Sequence, residues 1–102
     1  MLEKSFKMFL RGKAHHLQPL LMVGKGGLSE AVNEKLEHSL KHHELVKIKI
    51  QGADKSEVKE IIDSLVTEKS LEVIQTVGFT ATVYRQNTEA SLQQEYKNPP
   101  KD

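Results

Sequence analysis

The sequence predicts an α/β fold: a two-layer sandwich in the order α-β-α-β-α-β-β, with helices packed on a mixed four-stranded sheet. Three features point there. Stretches with apolar residues at helical spacing alternate with short runs rich in β-branched residues. The run Leu45-Val46-Lys47-Ile48-Lys49-Ile50 alternates with a period of two, as a half-buried strand does. Between the apolar run Leu20-Leu21-Met22-Val23 and a second helical pattern sits Gly24-Lys25-Gly26-Gly27, which reads as strand, tight loop, helix. At 102 residues the chain has room for one domain, read as residues 1–86, followed by a polar tail, 87–102.

The elements follow in order. From residue 5 to about 15, Phe6, Phe9, Leu10 and Ala14 recur at helical spacing, with Lys4, Lys7 and Arg11 along another side. Pro19 closes that segment, because proline lacks a backbone donor and disfavours helix in the residue before it. The four apolar residues 20–23 predict a short strand covered on both faces, inside the sheet or under the first helix. After the glycines, Val32, Leu36 and Leu40 form an i, i+4 row, giving a second helix from about 29 to 43.

In the strand 45–50, Val46, Ile48 and Ile50 face the core, so Lys47 and Lys49 point to the other face, which must be open to water or to a polyanion. Asp54, with Glu57 three residues later, has the form of an N-cap and its capping-box acid. A third helix follows, with Val58, Ile61, Ile62, Leu65 and Val66 as its apolar stripe. Residues 71–85 are rich in Val, Ile and Thr and broken by Gly78, a hairpin around Val77 and Gly78. Two right-handed crossovers running the same way put helices two and three on one face of the sheet, and the last strand returns antiparallel. Beyond Arg85 only Leu92 and Tyr96 are large apolar groups.

Composition narrows the function. The chain has no cysteine, which excludes disulfides, thiolate metal sites and a cysteine nucleophile. No apolar run approaches the roughly 20 residues needed to span a bilayer, and the first ten residues lack the apolar centre of a signal peptide, so a cytoplasmic protein is expected. Net charge is only +1, but it is unevenly spread. Up to Gly27, Lys4, Lys7, Arg11, Lys13 and Lys25 face a single acid, Glu3, whereas from Gln51 onward nine acids outnumber six bases. A local basic surface can therefore exist on a nearly neutral chain.

Glycines at 24, 26 and 27 permit positive φ and let a ligand approach the backbone, and amides near a helix start favour an anion. The same residues also simply turn the chain. No Walker-type Gly-Lys-Ser/Thr ending follows, and no acidic ribose partner stands about 20 residues on, which argues against a nucleotide cofactor. His38 and His42 share a helix face, but spacing places no third metal ligand, and nothing resembles a nucleophile–base pair. No cofactor, no metal and no catalysis are expected.

Leu10, Ala14-His15-His16-Leu17, Pro19, Gly24-Lys25-Gly26-Gly27-Leu28, His42-His43-Glu44-Leu45-Val46-Lys47-Ile48-Lys49 and Val83-Tyr84-Arg85 together resemble the CRM (chloroplast RNA splicing and ribosome maturation) domain in its bacterial stand-alone, YhbY-like form. The likeness runs from about Phe6 to Arg85. It implies strand order 1-2-4-3, as in the C-terminal domain of translation initiation factor three, and an RNA-binding protein that associates with the precursor of the large ribosomal subunit; a monomer is expected. Relatives in plant organelles carry the domain in group II intron splicing factors.

In the family's terms Gly24, Lys25, Gly26 and Gly27 form a KH-like GxxG loop whose amides clamp phosphates. Lys4, Lys7, Arg11, Lys13, Lys47, Lys49 and Arg85 extend the footprint. Lys13, following Gly12, also stands where it can cap helix carbonyls. Gly78-Phe79 departs from the Gly-Lys expected of many relatives, removing a positive charge at the hairpin. With few aromatics to offer, recognition by shape and backbone is expected, without a membrane or a small-molecule substrate. A protein-interaction adaptor with a purely structural glycine loop is the alternative from another class.

Overall fold

The computed structural model describes residues 2–24, 26–52 and 54–98. Among them the order is α1 (Lys4–Ala14), β1 (Leu21–Gly24), α2 (Glu30–His43), β2 (Leu45–Gln51), α3 (Lys55–Lys69), β3 (Glu72–Val77), β4 (Thr80–Tyr84) and α4 (Ser91–Lys97). The four strands form one sheet in the order β1-β2-β4-β3. β1 and β2 are parallel, and β4 runs antiparallel to both β2 and β3. The expected α/β topology and the 1-2-4-3 order both stand.

Local chemistry sets the boundaries. The Asp54 side chain accepts the Glu57 N–H at 2.9 Å, the cap that the spacing of those two residues predicts. Ser29 does the same for α2, accepting the Val32 N–H at 3.2 Å. α1 unwinds before Pro19 through successive turns, with the N–H of Leu17 donating to the carbonyl of Ala14 at 3.0 Å. α2 passes into β2 through a single residue, Glu44, at φ +61°, a left-handed conformation that L side chains rarely adopt.

Two apolar clusters lie on opposite faces of the sheet. Val46, Ile48, Ile50 and Val83 meet Leu36, Leu40, Val58, Ile62 and Leu65 of α2 and α3 on one face. Their neighbours Leu45 and Tyr84 point the other way, where with Ile74 they pack under Phe6, Leu10 and Ala14 of α1. Phe6 is 3% exposed and meets the Tyr84 ring edge-on, with centroids 5.5 Å apart. A register shift between Val73 and Gln75 turns Ile74 into this second cluster while Val73 packs against the first.

α4 completes the second cluster. Leu92 and Tyr96 pack against it, and the Tyr96 and Ser5 hydroxyls are 2.6 Å apart. Together α1 and α4 cover only part of their face, and the half carrying Lys47, Lys49 and Thr80 stays open. Among the described residues no helix is long and apolar enough to cross a membrane.

One expectation is overturned. Strand β1 is neither inside the sheet nor under the first helix. Leu21 and Val23 are buried, but Met22 is 49% exposed on the open face. The reason is topological: β4 pairs with the other side of β2 and not with β1, which leaves β1 at the edge, paired only to β2. An unbroken apolar run of four residues therefore does not imply two covered faces.

Candidate nucleic-acid interface

Strand register sets the open face. One row runs Met22, Lys49, Thr80, Val77 across all four strands, and the next sets Lys47 beside Thr82 and Gln75. The C-terminal end of α1 stands against the second row and encloses a cleft of about 440 Å³. Its charged groups are Arg11 and Lys47, and among the described residues no carboxylate lines it. The Arg11 Nε donates to the Ile74 carbonyl at 3.4 Å, which holds the guanidinium beside β3. Lys4 and Lys7 precede Arg11 at helical spacing on the same stripe of α1, so cations continue up the helix from the cleft.

The glycine loop lies at the end of the sheet where β1 and β2 finish, with Gly24 paired to Gln51. Gly27 takes φ +83° and donates its N–H to the Gly24 carbonyl at 2.9 Å, closing the loop on itself. Gly26 is exposed, does not need positive φ, and has nothing within 4 Å of where a Cβ would stand. The fold thus makes no demand for glycine at 26. Lys25 lies outside the described residues.

α2 starts three residues beyond the loop, with its own cap at Ser29 and an acid, Glu30, in its first turn. On the α3 side the groove beside the loop is lined by Glu57, Glu60 and Glu68. Three carboxylates there oppose a polyanion, so the favourable approach to the loop is from the Lys49 side.

Two of the predicted cations are engaged elsewhere. Lys13 forms an ion pair with Glu95 of α4 at 2.5 Å and lies over the Phe9 ring, 5.7 Å from its centroid. Arg85 forks onto Glu37, with its two terminal nitrogens 2.6 and 3.3 Å from the carboxylate oxygens, and also donates to the Lys69 carbonyl at 3.0 Å. The Arg85 hydrogen bonds and charge, with Lys69 Nζ 3.5 Å away, hold the Glu37 carboxyl below its ordinary value of 4.5 against the opposing effect of burial. This cluster ties the middle of α2 to the C-terminal end of α3 and the residue after β4, and stands apart from the open face. The candidates thus divide: Arg11, Lys47 and Lys49 share the open face, Lys7 flanks it on α1, and Lys13 and Arg85 serve the fold.

His38 and His42 lie one turn apart, with ring centroids separated by 4.3 Å and planes tilted by 50°. Among the described residues no set of three His, Cys, Asp or Glu could hold a metal ion.

Sequence reasoning passed over Phe79 as a contact. It occupies the second position of the two-residue turn between β3 and β4, after Gly78 at φ +58°, and is 43% exposed. Its carbonyl accepts the Ile50 N–H at 2.6 Å. The clue lay in the hairpin pattern: a two-residue turn projects both of its residues beyond the paired strands.

Residues 2–85 match the family pattern of the CRS1 / YhbY (CRM) domain. An RNA-binding protein of Haemophilus influenzae is 44% identical over 87 residues, covering 85% of this chain and 88% of its own. A probable RNA-binding protein of Bacillus subtilis is 33% identical over 89 residues, covering 87% and 93%. One of Pseudomonas aeruginosa is 36% identical over 85 residues, covering 83% and 78%. The solution structure of a hypothetical protein from Staphylococcus aureus superposes with a TM-score of 0.72 at 28% identity, over 86% of this chain and 92% of that one. The match over residues 2–85, most of the chain, makes this chain a member of the CRS1 / YhbY (CRM) domain family.

Proposed function

We propose that this protein is a non-catalytic, monomeric, cytoplasmic RNA-binding protein that holds ribosomal RNA of the large-subunit precursor and assists ribosome assembly. The observation that carries the RNA contact is the open half of the sheet, where Arg11 and Lys47 flank a cleft free of carboxylates among the described residues and Lys49 continues toward the glycine loop. The names of the bacterial relatives support the same ligand. The large-subunit precursor is the target that family membership suggests.

In this reading Lys47, Lys49, Arg11 and Lys7 neutralise phosphates, and the exposed backbone at Gly26, with Lys25 beside it, meets one more. Such contacts hold a backbone without reading sequence and weaken steeply with salt. Residues 1–86 form the RNA-binding unit, and the segment after them takes no part in the contact.

Two measurements test the proposal. On a sucrose gradient of cell extract at low salt the protein travels with large-subunit precursors and leaves them in high salt. In vitro, the double variant Lys47→Glu/Lys49→Glu loses most of its affinity for a ribosomal RNA fragment, and its salt dependence is shallower by about two phosphate contacts. Unchanged binding by that variant removes the open face from the interface and favours an adaptor role.

A further inference from the structure

We propose that Phe79 is a stacking platform for one unpaired base of the bound RNA, at the end of the sheet that also carries the glycine loop and Lys49. The proposal rests on the RNA-binding reading above and adds to it a ligand element, a nucleotide outside the duplex.

Three observations converge on this ring. First, of the three phenylalanines, Phe6 and Phe9 belong to the cluster under α1, whereas Phe79 is presented to solvent. Second, its backbone is fixed before any ligand arrives. Gly78 supplies the positive φ that the turn needs, Val77 pairs with Thr80 across it, and the Phe79 carbonyl is bonded to Ile50 of β2. A ring on a fixed backbone loses little freedom on binding.

Third, its surroundings suit a nucleotide. β1 and β2 are parallel and β4 starts opposite Lys49, so the hairpin tip and the glycine loop lie at the same end of the sheet. Lys49 faces Thr80, the residue after Phe79, and Lys55 lines a depression next to Gly78. Lys59 in that depression is already matched by Asp63 at 3.5 Å.

An exposed aromatic face at the end of the sheet where Lys49 and Lys55 also stand has the two parts that an unstacked nucleotide recognises: a surface for the base and charge for its phosphate. Duplex RNA offers no free base face and would gain nothing from the ring.

The chain has no tryptophan, so Phe79→Trp places a single indole at the site. The full-length variant is titrated with a hairpin RNA carrying an unpaired loop, and separately with a blunt duplex of the same stem. The expected result is strong fluorescence quenching by the loop RNA and little by the duplex. Phe79→Ala lowers affinity for the loop RNA about tenfold, leaves duplex affinity unchanged, and Phe79→Tyr restores loop binding.

Circular dichroism and melting of each variant establish that the hairpin has folded. Wild-type affinity of Phe79→Ala for loop RNA, or an equal loss on loop and duplex, overturns the stacking role while Lys47→Glu/Lys49→Glu still reports on the RNA contact itself. If the wild-type chain binds neither RNA, the RNA-binding reading fails and the stacking role with it.

Discussion

The carboxylate of Glu44 accepts the backbone N–H of Leu92 at 2.8 Å, joining residues 48 positions apart in the chain. Its other oxygen accepts the Asn87 N–H at 3.0 Å. Glu44 is 1% exposed, so both bonds are sheltered from water. One residue therefore turns α2 into β2 and also fastens the segment that carries α4.

Replacing Glu44 by Ala leaves two N–H groups without their acceptor and is expected to cost about 2–3 kcal/mol in urea unfolding. Hydrogen exchange separates this from a general loss: the Leu92 amide should lose protection before the amides of β2 and β4 do. Equal loss of protection throughout the sheet would contradict the role given to Glu44.

The Glu37–Arg85–Lys69 cluster predicts a pH dependence of known sign. The Glu37 carboxyl titrates below its ordinary value of 4.5 in the folded chain. Its contribution is complete above about pH 4.5 and is lost as pH falls from there through the lower, folded value. Glu37 is partly exposed, so no more than about 1 kcal/mol is at stake. Melting curves of Glu37→Gln should lie below wild type at pH 7 and converge on it toward pH 3. A constant gap between the two would refute the assignment.

Burial, with the Glu44 charge adding to it, pushes the Tyr84 hydroxyl up from 10.0 to about 12. The unfolded chain ionises this group first, so stability present below pH 10 drains away between pH 10 and 12, by up to about 2–3 kcal/mol. Among the described residues the buried hydroxyl has no hydrogen-bonding partner. Tyr84→Phe should therefore stay within about 1 kcal/mol of wild type at pH 7 and outlast it at pH 11. Strong destabilisation at pH 7 would reveal a structural duty for the hydroxyl.

The glycine loop allows fold and ligand contact to be tested apart. Gly27→Ala forces a side chain into φ +83° and should cost about 1–2 kcal/mol in thermal unfolding, with little direct effect on RNA. Gly26→Asp meets open space, should melt within about 0.5 kcal/mol of wild type, and should weaken RNA binding by setting a negative charge at the position proposed for a phosphate. A Gly26→Asp protein that binds RNA normally would make the loop a turn and nothing more.

Legibility in the sequence followed the range of the interaction. The Asp54 cap and the alternation in β2 act between near neighbours, and both were visible as spacing. The edge position of β1 is not legible in four apolar residues, which record composition, whereas edge or centre is decided by which strand β4 pairs with. The engagements of Lys13 with Glu95 and of Arg85 with Glu37 join residues 82 and 48 positions apart, and no local pattern announces them. A lysine on an amphipathic helix looks the same in sequence whether it faces RNA or an acid of another helix. Phe79 shows the converse: its exposure follows from the two-residue turn, a local pattern that is legible in the sequence.

The bond between the Ser5 and Tyr96 hydroxyls brings the first turn of α1 and the last turn of α4 side by side, on the face turned away from α2 and α3. The path of the chain therefore enters and leaves the fold through one doorway. Such a unit can be spliced into a longer polypeptide or strung in series with its strands undisturbed. Added segments would emerge from the far edge of the second cluster, leaving the glycine loop and the hairpin tip clear. A fluorescent protein or a second copy joined at either terminus should accordingly leave RNA affinity intact.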